Sequence, residues 1–307
     1  MNMIRPPYLK AGDTVAIVST ARKVSRLEVK PAIDILKSWG LEVQAGKNLY
    51  KDYHQFAGTD DERAADLQKA LNSKTVKAIL FARGGYGTAR IIDRLDWKRF
   101  VKDPKWLIGY SDLTVIHSHV HKHGNIQTLH GPMSLNLGKL SAPCLNVLKE
   151  TLFGQKLRYS SSKQQAHLEK LNRKGKAKGR LIGGNLSILY SLAATPSDLD
   201  FTGKILFLED LDEYLYHIDR MMINLKRSGK LKDLAGLIVG GMTEMKDNTI
   251  PFGKTAEEII HEAVAEYNYP VVYGFPAGHI PNNYPMIFGS EVTLNVTDKM
   301  ELTFHND

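Results

Sequence analysis

Along the first 150 residues the pattern of apolar and polar positions alternates between a strand period and a helix period. Residues 14–19, Thr-Val-Ala-Ile-Val-Ser, form a compact β-branched run and predict a strand. A helical pattern over 29–39 follows, and Gly40 stands where a helix should stop. Residues 41–44 predict a short strand. Thr59-Asp60-Asp61-Glu62 has the spacing of a capping box, and Ala64, Leu67, Ala70 and Leu71 supply an apolar face behind it. Residues 76–81 are apolar apart from Lys77, as expected of a strand covered on both faces. A helix over 86–95, a strand over 106–108 and a helix over 113–121 complete the series. Such alternation predicts a parallel sheet with helices on both sides.

The stretch 156–178 breaks this pattern. It carries Ser160, Ser161 and Ser162, then Lys163, Gln164 and Gln165, with few apolar positions, and predicts a linker. The expected organisation is a domain over 1–155, a linker over 156–178 and a domain over 179–307. In the second half strands are expected at 204–208 and 234–239. A helix is marked by Leu215, Ile218, Met222 and Leu225 and ends at Gly229, and another is expected at 256–267. A terminal hairpin is expected from 292–296 and 300–304.

Composition narrows the function classes. Nothing approaches the ~20 consecutive apolar residues of a membrane helix. Residues 1–10 hold Arg5 and two prolines but no apolar run, so no signal peptide and a cytoplasmic setting are expected. The single cysteine, Cys144, excludes an internal disulfide framework and cysteine-rich zinc sites, and its apolar helical setting predicts a buried structural thiol. The net charge of +8 is concentrated in the run 170–180, but without interleaved aromatics this is a solvated stretch rather than a nucleic-acid surface. The positive charge would favour anionic substrates by steering.

Four loop segments could carry chemistry. Ile108-Gly109-Tyr110-Ser111-Asp112-Leu113 lies where a strand turns into a helix, at the sheet edge where α/β active sites form. It is close to a nucleophile elbow, with Leu113 in place of the second glycine, and it can equally be a helix cap. Arg83-Gly84-Gly85-Tyr86-Gly87 lets backbone amides approach a ligand, as an oxyanion loop or as a tight turn, and lacks phosphate-loop spacing. Glu209 and Asp210 end an apolar strand, and His279 lies in a loop of turn formers. A serine, a carboxylate and a histidine are the parts of a triad. The alternating His117, His119, His121 and His123 lack a carboxylate partner and are expected on a partly exposed helix surface, with no metal. His130 is expected in a loop near the same sheet edge.

Read together, Gly-Asp-Thr-Val (12–15), Arg-Gly-Gly-Tyr-Gly (83–87), Gly-Tyr-Ser-Asp (109–112), Leu-His-Gly-Pro (129–132), Gly-Gly-Asn-Leu (183–186), Leu-Glu-Asp (208–210), Ile-Asp-Arg (218–220) and Gly-His followed by Asn-Asn (278–283) resemble, in order, the LD-carboxypeptidase family. The resemblance covers about residues 10–300. It implies a flavodoxin- or glutamine-amidotransferase-like N-terminal α/β domain with a parallel sheet, joined to a smaller C-terminal α/β domain. It implies a serine carboxypeptidase with Ser111, Glu209 and His279 as triad, needing no cofactor. The site would lie in the cleft between the domains. The implied substrate is the peptidoglycan tetrapeptide, cut before its terminal D-alanine in murein recycling. Gly85 and Asp112 are the expected oxyanion-hole amides, and Arg83, Tyr86 and His130 the expected substrate contacts. The expected partner is a muropeptide, without nucleic acid or membrane, and a homodimer is compatible with the sequence. Three departures from the family, at Ser19-Thr20-Ala21, His217 and Tyr284, bear on the substrate pocket. Two alternatives stay open: a hydrolase of peptidyl or aminoacyl nucleotides, like the family's microcin-immunity members, and a non-catalytic binding protein on the same scaffold.

Overall fold

The structure, a computed structural model, describes residues 3–161 and 166–305. In chain order its strands are β1 (Thr14–Val18), β2 (Glu42–Ala45), β3 (Val76–Phe81), β4 (Trp106–Gly109), β5 (Thr128–His130), β6 (Arg158–Ser161) and β7 (Gly175–Asn185). They continue with β8 (Ile205–Leu211), β9 (Gly236–Thr243), β10 (Val271–Val272), β11 (Met286–Phe288), β12 (Glu291–Val296) and β13 (Met300–Phe304). The chain forms two compact units, residues 1–155 with 281–287, and residues 156–280 with 288–307.

The first unit holds a sheet of order β11-β5-β4-β3-β1-β2, in which β2, β1, β3, β4 and β5 run parallel. This is the flavodoxin-type order, whose direction of winding reverses between β1 and β3, and ligands of such sheets bind beyond the strand ends at that reversal. Local chemistry sets the elements. Thr59 caps the helix Asp60–Asn72, accepting the Glu62 amide at 3.3 Å while the Glu62 carboxylate accepts the Thr59 amide at 3.0 Å. Every residue of β3 except Lys77 is buried, as befits a central parallel strand. Helix 86–95 does not form. Two 3-10 turns, Thr88–Arg90 and Ile92–Arg94, stand there because the Thr88 amide is engaged by the Asp112 carboxylate at 2.9 Å, and Gly87 adopts φ 149°.

The second unit holds a mixed sheet of order β10-β9-β8-β7-β12-β13-β6. β10, β9, β8 and the end of β7 are parallel; β12, β13 and β6 are antiparallel. β7 belongs to both halves: Gly175 through Arg180 pair with β12, and Leu181 through Asn185 with β8. The stretch 156–178 is therefore not simply a linker. Its low apolar content reflects a strand half with Lys176 and Lys178 in solvent, and a strand, β6, at the sheet's edge; residues 162–165 lie outside the described set. Ile218, Met222 and Leu225 of the helix Leu215–Arg227 and Ile259 and Ile260 of Ala256–Ala263 cover Leu206, Leu208, Leu237 and Val239 of the parallel half. The helix expected over 256–267 thus ends earlier. Among the described residues no helix is long and apolar enough to cross a membrane.

Candidate active site

In the first unit, Ser111 follows β4 at φ 64°. The left-handed region is costly for a residue with a Cβ, on the order of 1–3 kcal/mol, and such strain gathers at functional positions. Leu113, which stands where an elbow would have its second glycine, packs against Gly109: a Cβ on Gly109 would stand 2.9 Å from Leu113 Cγ. The glycine loop after β3 lies against the serine. A Cβ on Gly84 would stand 3.1 Å from Ser111 Cβ and 3.2 Å from its Oγ. Gly85, at φ 106°, lies under the Arg22 side chain, which leaves no room for a Cβ.

This loop is held by groups that sequence reasoning did not single out. Arg63, 1 % exposed, donates to the carbonyl oxygens of Thr20, of Gly87 at 3.1 Å and of Gly58 at 3.3 Å, and pairs with Asp60. Thr20 and Thr88 share a hydroxyl hydrogen bond of 2.7 Å. Asp112 is buried, and burial pushes its carboxyl above the ordinary range, against the Thr88 and Gly87 hydrogen bonds and the charge of Arg63. Its side chain fastens the loop that carries Gly85. The departure at Ser19-Thr20-Ala21 is part of the same knot, with Ser19 Oγ donating to the Arg22 carbonyl at 2.8 Å.

Arg83 is half-buried and Tyr86 is exposed. His130 requires correction. It is the last residue of β5, not a loop residue, and is fully buried with its ring 6.0 Å from Tyr110 and 6.3 Å from His117. Its ring has no exposed surface in this arrangement. The histidine cluster also differs from expectation: His117 and His119 are buried, because the helix Thr114–Gly124 packs between β4, β5 and Trp97 rather than lying in solvent. Cys144 is buried, and burial pushes its thiol up to about 11.

In the second unit, Glu209 and Asp210 lie near the end of β8, where its register against β9 shifts, and take different partners. Glu209 is fully buried, and its Oε2 accepts both the ring Nδ1–H of His279 at 2.6 Å and the His279 backbone amide at 3.1 Å. That assigns the proton to Nδ1 and leaves Nε2 as the basic nitrogen. Gly278 makes the approach possible: at φ 105°, a Cβ there would stand 2.7 Å from Glu209 Cβ. Thr243 Oγ1 donates to the His279 carbonyl at 2.9 Å, and the Gly241 amide donates to that of Ala277 at 3.0 Å, so the loop is sewn to the end of β9. Burial pulls the imidazolium of His279 down, but the Glu209 charge and hydrogen bond, aided by Asp210 and Glu244, outweigh it and the net shift is upward.

Asp210 faces elsewhere. It accepts from Asn185 Nδ2, the Ser187 amide and the Leu211 amide, each at 2.8 Å. Asn185 in turn caps the helix Leu186–Ser191. Burial and then the Glu209 charge push the Asp210 carboxyl up to about 7. Of the other departures, His217 Nδ1 lies 2.6 Å from Glu213 Oε2 with its ring edge-on to Tyr190, and Tyr284 is half-buried. Among the described residues no group of three or more His, Cys, Asp or Glu side chains could hold a metal ion.

Known proteins resemble this chain in sequence and in fold. Residues 15–131 match the LD-carboxypeptidase N-terminal domain and residues 178–294 the LD-carboxypeptidase C-terminal domain. The chain is 35% identical over 300 residues to a probable murein peptide carboxypeptidase of Bacillus subtilis, covering 96% of this chain and 92% of that one. It is 29% identical over 292 residues to the murein tetrapeptide carboxypeptidase of Pseudomonas aeruginosa, covering 91% and 92%. The crystal structure of muramoyltetrapeptide carboxypeptidase from Oxalobacter formigenes superposes with a TM-score of 0.85 at 31% identity, over 95% of this chain and 99% of that one. MccF in complex with glutamyl sulfamoyl guanosine superposes with a TM-score of 0.86 over 99% of this chain and 98% of that one, and at 20% identity this likeness is one of fold.

Proposed function

Since the chain belongs to the LD-carboxypeptidase family of peptidases, which includes carboxypeptidases of peptidoglycan peptides, we propose that it is a cytoplasmic serine carboxypeptidase that releases the terminal D-alanine of the peptidoglycan tetrapeptide. The observation that carries this reading is the 2.6 Å hydrogen bond between Glu209 and His279 Nδ1. It fixes the tautomer a general base needs, with a buried carboxylate behind the ring to stabilise the imidazolium as it forms. Ser111, strained at the end of β4, is the nucleophile.

The hydroxyl of Ser111 attacks the carbonyl that follows the L-centre of the diamino acid, and its proton passes to His279 Nε2. The amides of Gly85 and Asp112 stabilise the oxyanion. Collapse of the tetrahedral intermediate expels D-alanine, whose amine takes the proton from His279. Water, deprotonated by the same nitrogen, then hydrolyses the acyl-serine. Arg83, Tyr86 and the net charge of +8 suit a substrate rich in carboxylates.

The test is incubation with a muropeptide tetrapeptide and detection by mass spectrometry of the loss of one alanine. Ser111→Ala should abolish that loss, since removal of a triad nucleophile costs ~10⁶ in turnover. Turnover of the variant within tenfold of wild type would remove Ser111 from the mechanism. Cleavage of an aminoacyl sulfamoyl nucleotide in preference to the tetrapeptide would replace the proposed substrate.

A further inference from the structure

The four alternating histidines of the helix Thr114–Gly124 have no part in the mechanism above. One of them is nonetheless tied to the nucleophile's own strand. His117 is 1 % exposed, and both of its ring nitrogens are engaged: Nε2 lies 2.9 Å from the Gly109 carbonyl oxygen and Nδ1 lies 2.8 Å from Thr128 Oγ1.

The roles in this chain follow by elimination. A carbonyl oxygen only accepts, so Nε2 carries the proton. Burial holds the ring neutral, with its pKa down at about 4, so Nδ1 is an acceptor and the Thr128 hydroxyl donates to it. His121 Nε2, 3.1 Å from the same hydroxyl oxygen, can then donate to it. The Gly109 carbonyl also accepts the Gly131 amide at 3.2 Å, so it is held by two donors from two different elements. Gly109 stands two residues before Ser111, and His117 stands six residues after it. The interaction therefore clamps the chain on both sides of the strained serine. A residue at φ 64° persists only where its surroundings over-determine it, and this clamp supplies part of that determination.

We infer that His117 is a positioning residue for Ser111, acting through the Gly109 carbonyl, with Thr128 fixing its tautomer. The inference rests on the reading of Ser111 as nucleophile. It makes a distinction between two buried carboxamides. Glutamine places its NH2 near the position of Nε2 and can still donate to Gly109. Asparagine is too short to do so and places its polar group near Nδ1, beside Thr128. Both remove the imidazole and both should lower the melting temperature.

The experiment measures kcat and KM on the tetrapeptide, and the rate of labelling by a serine-directed fluorophosphonate, for His117→Gln and His117→Asn, with melting temperatures recorded alongside. The expected result is a kcat and a labelling rate lowered about tenfold or more for His117→Asn, within threefold of wild type for His117→Gln, and KM unchanged in both, as the loss of one buried hydrogen bond implies. Should His117→Asn fail to fold, Thr128→Val and Thr128→Ser ask the same question. Serine loses a methyl group but keeps the hydroxyl, so kcat should fall with valine and not with serine. Equal kcat in each pair, or kcat that follows melting temperature instead of hydrogen-bonding capacity, overturns the inference. Ser111→Ala separates the two levels. If that variant still cleaves, the nucleophile is wrong and the inference falls with it; if it is inactive while His117→Asn is fully active, only the inference falls.

Discussion

Replacing Glu209 by glutamine isolates the charge behind His279. Oε2 accepts two N–H groups of one residue, the ring at 2.6 Å and the backbone at 3.1 Å. A glutamine whose carbonyl oxygen took that place would keep both bonds. Its NH2 would then occupy the position of Oε1, which is buried without a hydrogen-bond partner among the described residues. An unsatisfied buried donor costs about 1–3 kcal/mol. The reversed rotamer sets NH2 against two donors and drives the ring toward the wrong tautomer. In the first arrangement the loss is the attraction of the carboxylate for the imidazolium. Unit charges 4 Å apart at an effective dielectric near 20 attract by about 4 kcal/mol, or about three powers of ten in rate. In the second, the amide substitution in the well-studied serine triad gives the scale, ~10⁴. Glu209→Gln should therefore lower kcat/KM on the tetrapeptide by about 10² to 10⁴ with KM little changed. Asp210→Asn is the control. Asp210 receives three donors, at least one of which would meet an NH2 in the variant, so it should lose melting temperature and less than about tenfold in rate. A Glu209→Gln rate within tenfold of wild type, or a larger loss for Asp210→Asn in folded protein, refutes the assignment of the acid.

Because the upward shift of His279 places its folded pKa above the ordinary 6.5, and the base must be neutral, kcat/KM should rise with pH along a limb centred above 6.5. A midpoint at or below 6.5 in wild type contradicts the Glu209 partnership. The same shift makes this pair's contribution to stability fullest below pH 6.5 and lost as pH rises through the folded value. His117 has the opposite sign: burial holds it near 4, the unfolded chain takes up more protons below 6.5, and up to about 3 kcal/mol of stability should be lost as pH falls from 6.5 to 4. Thermal melts should show that loss flattened in His117→Gln, and an unchanged slope would exclude His117 as its source. Gly278→Ala forces a Cβ to 2.7 Å from Glu209 Cβ at φ 105°, so it should lower kcat at least tenfold together with melting temperature; activity within twofold of wild type would show that the loop adapts.

What the chain disclosed in advance follows from how local each determinant is. The strand 76–81 and the Thr59 cap depend on side chains within a few residues, and both appear as expected. The choice of Glu209 over Asp210 comes from the family resemblance, and no local pattern makes it. Which carboxylate meets His279 depends on Gly278, nearly seventy positions on, and on Asn185 and Ser187 drawing the other carboxylate away. The return of residues 281–287 to the first unit, with β11 beside β5, rests on long-range pairing that no local pattern marks.

Arg63 is the instructive case, because a local signal did exist. It follows Thr59 by four residues, and charged residues at such positions are usually solvated. Yet Arg63, Leu67 and Ala70 stand at i, i+4 and i+7, and Asp66 at i+3, so the arginine lies on the stripe that the helix Asp60–Asn72 buries. A cation on that stripe must find fixed acceptors or the helix cannot dock, since an unpaired buried charge costs far more than the face gains. The acceptors it finds, the carbonyl oxygens of Thr20 and Gly87, belong to the loops leaving β1 and β3, at the point where the sheet reverses direction. A charged residue on the apolar face of a helix flanking a parallel sheet thus indicates which loops require bracing, and here those loops include the one that lies against Ser111.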